Sequence, residues 1–519
     1  MVKIKYINNK KLKRNIIEYR EYQDSISDIC LEKNTLVILP TALGKTIIAI
    51  LTAVKLLDKD EKIKILMLAP TRPLVVQHFN TFKNLLNYNN KDFTILTGKI
   101  LPKKRLMAWN SAKFIFATPQ VIRNDLQNKR YNLKDIGLII FDEAHHARKN
   151  YAYNYIASEY IKGYEKTRIL GLTASPGKDE KSINEICENL FIEAIQFRSE
   201  YDDDVKDYIT PITLFWHRLE LPEEYNLILK ILRDMVEENI LKLKRQGLLI
   251  IKSTKIITKT DILELGKKLR VELNRATRRK KGYLYNAIVI QSALLSLMHG
   301  IELIETQGLL PFCNFLRKIE KDALHGKSKY SKLIVDHLKF EKLTYYCEFY
   351  RHILNPKLEK LAVLIKQELQ ENANSKIIVF SQYRDTVIRI QEYLKTIDNV
   401  KAIKFVGQTS KENDPGLKQD EQARIIEDFK GDKYNVLIAT CVAEEGLDIP
   451  AVDRVIFFEP IPSEIRYIQR KGRTSRHHIG RVDILLNKNT IDEAYFGAAL
   501  SREKKMKKII KKLNKKLEK

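Results

Sequence analysis

Short apolar runs alternate with amphipathic stretches in two parts of this chain, one before residue 200 and one after residue 375. In the first part the runs are Leu36 to Leu39, Ile63 to Leu68, Phe114 to Ala117, Leu138 to Phe141 and Ile169 to Leu172. In the second part they are Ile377 to Phe380, Ala402 to Phe405, Val436 to Ala439, Val455 to Phe458 and Val482 to Leu486. Each run has the length of a buried strand and ends in polar or turn residues. The pattern predicts an α/β fold with two parallel sheets covered by helices, and it places the chemistry at the carboxyl ends of the strands.

Between these parts the strand-like runs become sparse, and charged stretches with helical apolar spacing take their place. We therefore predict a first α/β domain over residues 1–200, a mostly helical inserted domain over 201–350 and a second α/β domain over 351–497. Residues 498–519 form a basic tail, since the last twenty residues hold ten basic and two acidic side chains. The tail fits either a basic amphipathic helix that binds nucleic acid, a membrane or a partner, or a frayed solubilising terminus.

The charge of the chain favours a polyanionic partner, because its formal net charge is +27 over 519 residues. A general lysine excess, as in proteins from hot environments, would give the same balance. The five cysteines are scattered without a CxxC pair, which predicts a reduced intracellular protein without a zinc or iron–sulfur site. The N-terminus has no apolar signal region, and no uninterrupted apolar run approaches the ~20 residues that span a bilayer. These features predict a soluble cytoplasmic protein without a membrane partner.

A phosphate-binding loop is predicted at residues 39–46, LPTALGKT, which join an apolar run to a helical stretch. Pro40, Thr41, Ala42, Leu43 and Gly44 would form the nucleotide-binding loop, and backbone amides at the start of the helix would wrap phosphate oxygens. Lys45 would reach the β and γ phosphates, and the Thr46 hydroxyl would bind Mg²⁺. Measured against G-x-x-x-x-G-K-[ST], however, Leu39 stands in the place of the first glycine.

Two adjacent carboxylates strengthen this prediction, because Asp142 and Glu143 directly follow the run that ends at Phe141. Asp142 would hold the Mg²⁺ shell, while Glu143 would position or deprotonate the attacking water. His145 follows closely, and we interpret it as a coupling residue rather than a metal ligand. The expected cofactors are therefore ATP and Mg²⁺.

The chain resembles the superfamily 2 helicases through residues 41–46, 142–145, 171–176 and 469–476. Residues 150–157 and 301–309 are similar to the branch that contains archaeal Hef and eukaryotic FANCM. The resemblance covers nearly the whole chain, with the motifs in the family's order. It implies two RecA-like domains with the helical domain inserted between them. One departure is Ala42, where the family usually has glycine.

The resemblance also assigns roles to individual residues. Arg20 and Gln23 match the motif that reads adenine, and Gly446 and Asp448 match residues that face the nucleotide. Gln469, Arg473 and Arg476 match catalytic residues, of which the two arginines reach across to the γ-phosphate. Arg470, Thr173 and Ser175 match coupling residues. The matches to motifs that hold the nucleic-acid backbone are Thr71, Arg72, Thr97, Gly98, Thr118, Gln120, Ser381, Gln408 and Thr440.

The inserted domain carries a basic segment, with fourteen Lys or Arg against three acidic residues between positions 242 and 281. It predicts either a surface that binds duplex or forked DNA or an ordinary solvated helix face. The residues that would bind DNA are Lys242, Lys244, Arg245, Lys252, Lys255, Lys267, Lys268, Arg275, Arg278, Arg279, Lys280 and Lys281.

The favoured hypothesis is a DNA-dependent ATPase and 3′–5′ helicase or translocase that remodels branched DNA in repair. Forked, branched and single-stranded DNA are its expected partners, together with replication or repair proteins. Three alternatives stay open. One is a double-stranded RNA-dependent ATPase of the Dicer and RIG-I type, and the second is an ATP-gated junction-binding scaffold that does not unwind. The third is a nuclease, because Hef proteins carry a nuclease module; the absence of an ERK-type acidic cluster argues against it.

Overall fold

The computed structural model describes residues 5–40, 43–163, 168–177, 179–199, 202–208, 212–249, 257–408, 415–440, 449–450, 452–461 and 480–517. Within these residues the chain forms two parallel sheets, with a bundle of helices between them in sequence. This architecture confirms the predicted fold class.

The first sheet has seven parallel strands in the order β3-β4-β2-β5-β6-β1-β7. Its strands are β1 Thr35–Ile38, β2 Lys64–Leu68, β3 Phe93–Leu96, β4 Phe114–Ala117, β5 Ile136–Phe141, β6 Ile169–Thr173 and β7 Ala194–Phe197. The helices between them are α1 Glu21–Glu32, α2 Lys45–Lys59, α3 Arg72–Leu85, α4 Pro102–Ser111, α5 Pro119–Gln127, α6 Ala152–Gly163 and α7 Glu180–Asn189. Apolar side chains bury the central strands on both faces, as expected for a parallel sheet between helix layers.

The second sheet has six parallel strands in the order β10-β11-β9-β12-β13-β8. They are β8 Ile212–Leu219, β9 Ile377–Phe380, β10 Ala402–Phe405, β11 Val436–Ala439, β12 Arg454–Phe457 and β13 Gly480–Asn487. Helices α14 Pro356–Glu371, α15 Arg384–Leu394 and α16 Gln419–Lys430 belong to this domain. Strand β8 pairs with β13 from Ile212 opposite Gly480 to Leu219 opposite Asn487, so this segment of the predicted insert lies in the second sheet.

All ten apolar runs form strands, and the structure adds β3, β7 and β8 to them. These three strands each lie at the edge of a sheet. Partial exposure at an edge permits polar side chains such as Thr94 and Gln196, which shorten the apolar pattern that marks a strand.

The helical bundle contains α8 Glu223–Arg245, α9 Lys259–Arg275, α10 Arg278–Gln307, α11 Leu309–Leu324, α12 Lys329–Val335 and α13 Phe340–Tyr350. By length and composition α10 could cross a membrane, but half of its most apolar window is buried, and it contributes to both apolar cores of the bundle. Cys313 of α11 and Cys347 of α13 form a disulfide. The prediction of scattered, reduced cysteines is therefore wrong for this pair, because the bundle packs together two helices that are distant in sequence.

The C-terminal helix, α17 Ile491–Leu517, spans both α/β domains. Phe496 packs into the core of the second sheet, whereas Met506, Ile510 and Leu513 are buried in the core of the first. The basic tail is thus part of a helix whose apolar side is packed into the fold.

Candidate active site

The loop between β1 and α2 is built around a left-handed glycine. Gly44 has φ 72° and ψ 39°, and a Cβ at this position would lie 2.5 Å from the Gln23 side-chain nitrogen. The carbonyl of Leu43 accepts hydrogen bonds from the Tyr22 hydroxyl at 2.9 Å and from Gln23 Nε2 at 3.2 Å. Helix α1 therefore fixes the loop from behind, and only glycine fits at its turn into α2.

Lys45 begins α2, and its side chain bends back over the loop. Its Nζ donates to the carbonyl of Leu39 at 3.1 Å and to that of Pro40 at 3.3 Å. Loss of hydration lowers the pKa of the Lys45 ammonium, and the neighbouring carboxylates of Glu143 and Asp142 oppose this shift. A phosphate at the loop would further favour the charged amine.

Asp142 lies at the carboxyl end of β5 and is held by three contacts. Its backbone nitrogen donates to Leu68 O at 2.9 Å, and its carbonyl accepts from the Tyr153 hydroxyl at 2.7 Å. Its Oδ2 lies 2.7 Å from Nε2 of the buried His78. Burial alone would raise the pKa of the Asp142 carboxyl, but His78 and Lys45 outweigh burial and hold this pKa below its usual range.

Glu143 adopts a left-handed conformation, with φ 49° and ψ 51°, which a non-glycine residue rarely takes outside a constrained site. Its Oε2 is buried without a hydrogen bond in the described part of the chain, although His145 Nδ1 lies 3.2 Å away. The glycine cradle, the ionised Asp142 and this carboxylate oxygen together fit a nucleotide with a divalent cation.

A chain of polar contacts leads away from Glu143. His145 Nδ1 lies 3.2 Å from Thr173 Oγ1, which also accepts from the backbone nitrogen of Ser175 at 3.2 Å. The Ser175 hydroxyl donates to the sulfur of Met506 at 3.0 Å. The structure thus brings three of the four expected coupling residues together and joins them to α17.

A cleft of about 680 Å³ lies between α3 of the first domain and α16 of the second. Arg72 and Thr97 line it on one side, and Gln419 lines it on the other. Arg72 Nη1 donates to Gln419 Oε1 at 3.3 Å across the cleft. Thr71 is the N-cap residue of α3 and Arg72 is its first residue, so two motif positions lie at the N-terminus of this helix.

The other expected backbone contacts differ in exposure. Gly98 and Gln120 in the first domain are exposed, as is Gln408 in the second. Thr118, Ser381 and Thr440 are buried, and the Ser381 hydroxyl has no hydrogen-bond partner in the described part of the chain.

The basic segment of the insert faces solvent. The predicted DNA-binding residues that the structure describes are all exposed: Lys242, Lys244 and Arg245 of α8, Lys267, Lys268 and Arg275 of α9, and Arg278, Arg279, Lys280 and Lys281 of α10. The exposed aromatic rings of Tyr283 and Tyr285 follow them on α10. This surface, the basic face, combines cations with rings on which bases can stack.

Several expected site residues lie outside the described residues. They are Thr41, Ala42, Lys252, Lys255, Gly446, Asp448, Gln469, Arg470, Arg473 and Arg476. Arg20 and Thr46 are described and are half-buried. The Arg20 guanidinium donates to Glu18 and lies 4.9 Å from the centroid of the Tyr208 ring.

The sequence reasoning missed several residues that build this site. Tyr22 and Tyr153 hold the loop and the Asp142 backbone through their hydroxyls. His78 shares the inner face of α3 with Val75 and Phe82. A histidine on an otherwise apolar helical stripe was the available signal for it, since a buried imidazole needs a polar partner.

Three family models match this chain in order. "DEAD/DEAH box helicase" matches residues 20–183, and "Helicase conserved C-terminal domain" matches residues 357–478. "Putative ATP-dependent RNA helicase, helical bundle" matches residues 224–347. The first two models cover most strands of the two sheets, leaving out β7, β8 and β13, and the third covers most of the bundle.

Similar proteins come from archaea and eukaryotes. The chain is 42% identical to "Putative ATP-dependent RNA helicase MJ1505" of Methanocaldococcus jannaschii, over 98% of this chain and 62% of that protein. It is 32% identical to "ATP-dependent DNA helicase mph1" of Neurospora crassa, over 93% of this chain and 42% of that protein. It is 31% identical to "DEAD-box ATP-dependent RNA helicase FANCM" of Arabidopsis thaliana, over 92% and 36%. The chain thus spans less than two thirds of the length of these relatives.

A solved structure, the Pyrococcus furiosus Hef helicase domain, is similar at 43% identity and a TM-score of 0.72. The match covers 94% of this chain and all of that one.

Proposed function

Because the chain belongs to the superfamily 2 helicases of the Hef and FANCM branch, we propose that it is an ATP-dependent motor that unwinds or remodels branched DNA. Its substrates would be replication forks and Holliday junctions in repair, with 3′–5′ movement along one strand. We assign it to the chromosome in the cytoplasm, where replication and repair proteins are its expected partners.

The residues at the first sheet support the ATPase part of this proposal. Lys45 and the amides at the start of α2 would hold the phosphates, and Thr46 with Asp142 would hold Mg²⁺. When it is bound together with Mg²⁺, the nucleotide supplies the phosphoanhydride bond whose hydrolysis releases free energy for movement. Glu143 has a carboxylate oxygen without a hydrogen bond in the described part of the chain, which is suited to accept a proton from water.

The second domain would complete the site through Gln469, Arg473 and Arg476, with Gly446 and Asp448 facing the nucleotide. Since these residues and the loop before Lys45 belong to different domains, nucleotide binding would favour closure of the domains. Arg72 and Gln419 already form a hydrogen bond across the cleft, so closure and opening of the domains would directly change the path of a bound nucleic-acid strand. Repeated binding and release at this cleft would move the nucleic-acid strand.

The choice of branched DNA rests chiefly on the basic face. Its ten described cations are exposed and have no ion pair within the described parts of the bundle, so each can neutralise a phosphate. A fork presents duplex and single strand side by side, which suits a protein that has both a basic face and a cleft for a single strand.

The names of the relatives keep an RNA substrate open as a second candidate, since two of them are RNA helicases by name. ATP hydrolysis and strand displacement should be measured on single-stranded DNA, duplex DNA, forks, four-way junctions and duplex RNA. We expect forks and junctions to stimulate hydrolysis most, and greater stimulation by duplex RNA would overturn the choice of DNA.

Variants of the site separate a motor from a scaffold. Lys45→Ala and Glu143→Gln should each lower ATP hydrolysis by about 10²–10³-fold, as expected when a group that stabilises the transition state is removed. Both variants should stop strand displacement while leaving fork binding intact. Fork binding by the wild type without any displacement would instead favour the scaffold, and incision of forks in Mg²⁺ would favour a nuclease.

A further inference from the structure

His78 and Asp142 form a buried polar pair that links helix α3 to the candidate catalytic carboxylates. Nε2 of His78 lies 2.7 Å from Oδ2 of Asp142, and the two residues are 5% and 6% exposed. The second ring nitrogen, Nδ1, is buried and has no hydrogen-bond partner among the described residues. A leucine at this position would pack in the core without this loss of hydration, so the imidazole is best explained by its contact with Asp142.

Helix α3 also lines the cleft between the two domains, where we expect a nucleic-acid strand to bind. Arg72 begins the helix, six residues before His78, which corresponds to a distance of about 9 Å along the axis. Its Nη1 donates to Gln419 of the second domain at 3.3 Å, while its Nε is buried without a hydrogen-bond partner in the described part of the chain. Helix α3 therefore contacts the second domain through its first residue, Arg72. About two turns later, His78 contacts the carboxylate of Asp142 at the end of β5.

We propose that His78 is a positioning residue through which α3 couples the grip on nucleic acid to Asp142. This inference rests on the proposed function. When Arg72 exchanges Gln419 for a backbone phosphate, a rigid α3 shifts as one body, and the shift reaches Oδ2 through the His78 ring. The hydrogen bond occupies one carboxylate oxygen and fixes the rotation of the group, as partners behind metal ligands commonly do.

The test measures divalent-cation affinity directly, with Mn²⁺ followed by electron paramagnetic resonance in the presence of a non-hydrolysable ATP analogue. We expect His78→Ala to weaken Mn²⁺ binding by about tenfold or more. His78→Gln offers an amide N–H in place of Nε2 and should recover most of the affinity. Val75→Ala, which removes buried volume from the same face of α3 but leaves the pair intact, is the matched control and should bind Mn²⁺ as the wild type does.

Coupling is tested by adding a DNA fork to the same titrations. Because coupling between two ligands is reciprocal, the fork should raise Mn²⁺ affinity in the wild type, in His78→Gln and in Val75→Ala, but not in His78→Ala. Fork affinity in the absence of nucleotide and metal should be equal in all four proteins. An unchanged Mn²⁺ affinity in His78→Ala, or a fork effect that survives in it, would overturn the proposal.

The two proposals fail in different ways. If neither DNA nor RNA stimulates the wild-type ATPase, the proposed function fails, yet the Mn²⁺ titration without nucleic acid still tests the positioning of Asp142. Equal losses in His78→Ala and Val75→Ala would show that His78 only packs, and would likewise overturn its assigned role.

Discussion

The Ser175 hydroxyl donates a hydrogen bond to the sulfur of Met506 at 3.0 Å, across 331 residues of sequence. Ser175 follows β6 in the first domain, whereas α17 begins beside the core of the second domain. Met506 is 2% exposed and packs with Ile510 and Leu513 in the core of the first sheet. The C-terminal helix is therefore a strap that links the two domains and passes beside the coupling residues.

Removing the Met506 side chain should weaken this strap. We expect Met506→Ala to lower the free energy of unfolding by about 2–5 kcal/mol, because it leaves a cavity in a packed core. Lys505→Ala, one residue away and exposed, is the matched control and should change stability by less than about 0.5 kcal/mol. Urea unfolding of both variants decides the point. An equal free energy of unfolding for Met506→Ala and Lys505→Ala would show that the helix is only loosely docked.

The same packing changes the expectation for the tail. A freely projecting basic helix would contribute mainly to nonspecific DNA affinity, but a strap docked in the first domain also supports the site beside Ser175. We expect truncation after Leu500 to reduce ATP hydrolysis at saturating nucleic acid, measured beside the full chain. Unchanged turnover would restrict the helix to stability and DNA affinity.

The disulfide between Cys313 and Cys347 closes a loop with a sequence separation of 34. Reduction should lower the free energy of unfolding by about 2–4 kcal/mol, since the cross-link restricts the unfolded chain. Peptide mapping without reductant should recover the linked peptides, and Cys313→Ser should abolish the effect of reductant on unfolding. Cys187→Ser, at a free cysteine, should leave that effect in place. Recovery of free thiols at both positions would contradict the pairing.

The central strands and the first catalytic residues could be predicted from sequence because their signals are local. An apolar run of strand length marks β5, and Asp142 and Glu143 follow it directly. Strand β8 lies at a sheet edge, and Thr213, His217 and Arg218 interrupt its apolar residues, so it fell within the predicted insert. Its eight residues are half-buried or exposed, and they pair with β13, more than 260 residues later.

Long-range partners could not be predicted in the same way. Met506 looks like an ordinary core position in its helix, and His78 indicates a polar partner without identifying it, since periodicity gives the buried face of a helix but not what the face touches. Only the fold brings the imidazole to Asp142 and the thioether to Ser175.

Asp125 anchors α5, the helix that begins directly after the predicted strand-binding residue Thr118. Its buried carboxylate accepts two hydrogen bonds from Arg105, at 2.6 and 2.7 Å, and another from Arg130. Burial alone would raise the pKa of the Asp125 carboxyl, but the arginines outweigh it and hold this pKa below its usual range. A depressed carboxyl pKa stabilises the fold above the unfolded value of about 3.9, and this contribution is lost as the pH falls through the folded pKa.

Asp125→Asn should therefore destabilise the protein by about 3–5 kcal/mol at pH 7, since it leaves a buried arginine without its counter-charge. The gap from the wild type should narrow as the pH falls below about 4, where the carboxyl of the unfolded wild-type chain gains a proton, and should continue to narrow as the pH falls through the lower pKa of the folded carboxyl. Unfolding curves collected from pH 7 to 3 give this comparison. Asp203→Asn, at an exposed ion pair, should match the wild type throughout. A gap for Asp125→Asn that stays constant with pH would contradict the ionic origin of its effect.

The basic face should determine how strongly fork binding depends on salt. Removing one cation that neutralises a phosphate of duplex DNA should reduce the slope of log K against log salt by about 0.9, because fewer counterions are released. We expect the triple variant Arg278→Gln, Arg279→Gln and Lys280→Gln at the start of α10 to bind forks more weakly and with a shallower slope. A second triple variant, Lys318→Gln, Lys321→Gln and Lys327→Gln, removes the same charge from exposed positions elsewhere on the bundle and is the matched control. Fluorescence anisotropy between about 50 and 300 mM salt distinguishes them, and equal slopes for the two variants would show that net charge, rather than the basic face, attracts the DNA.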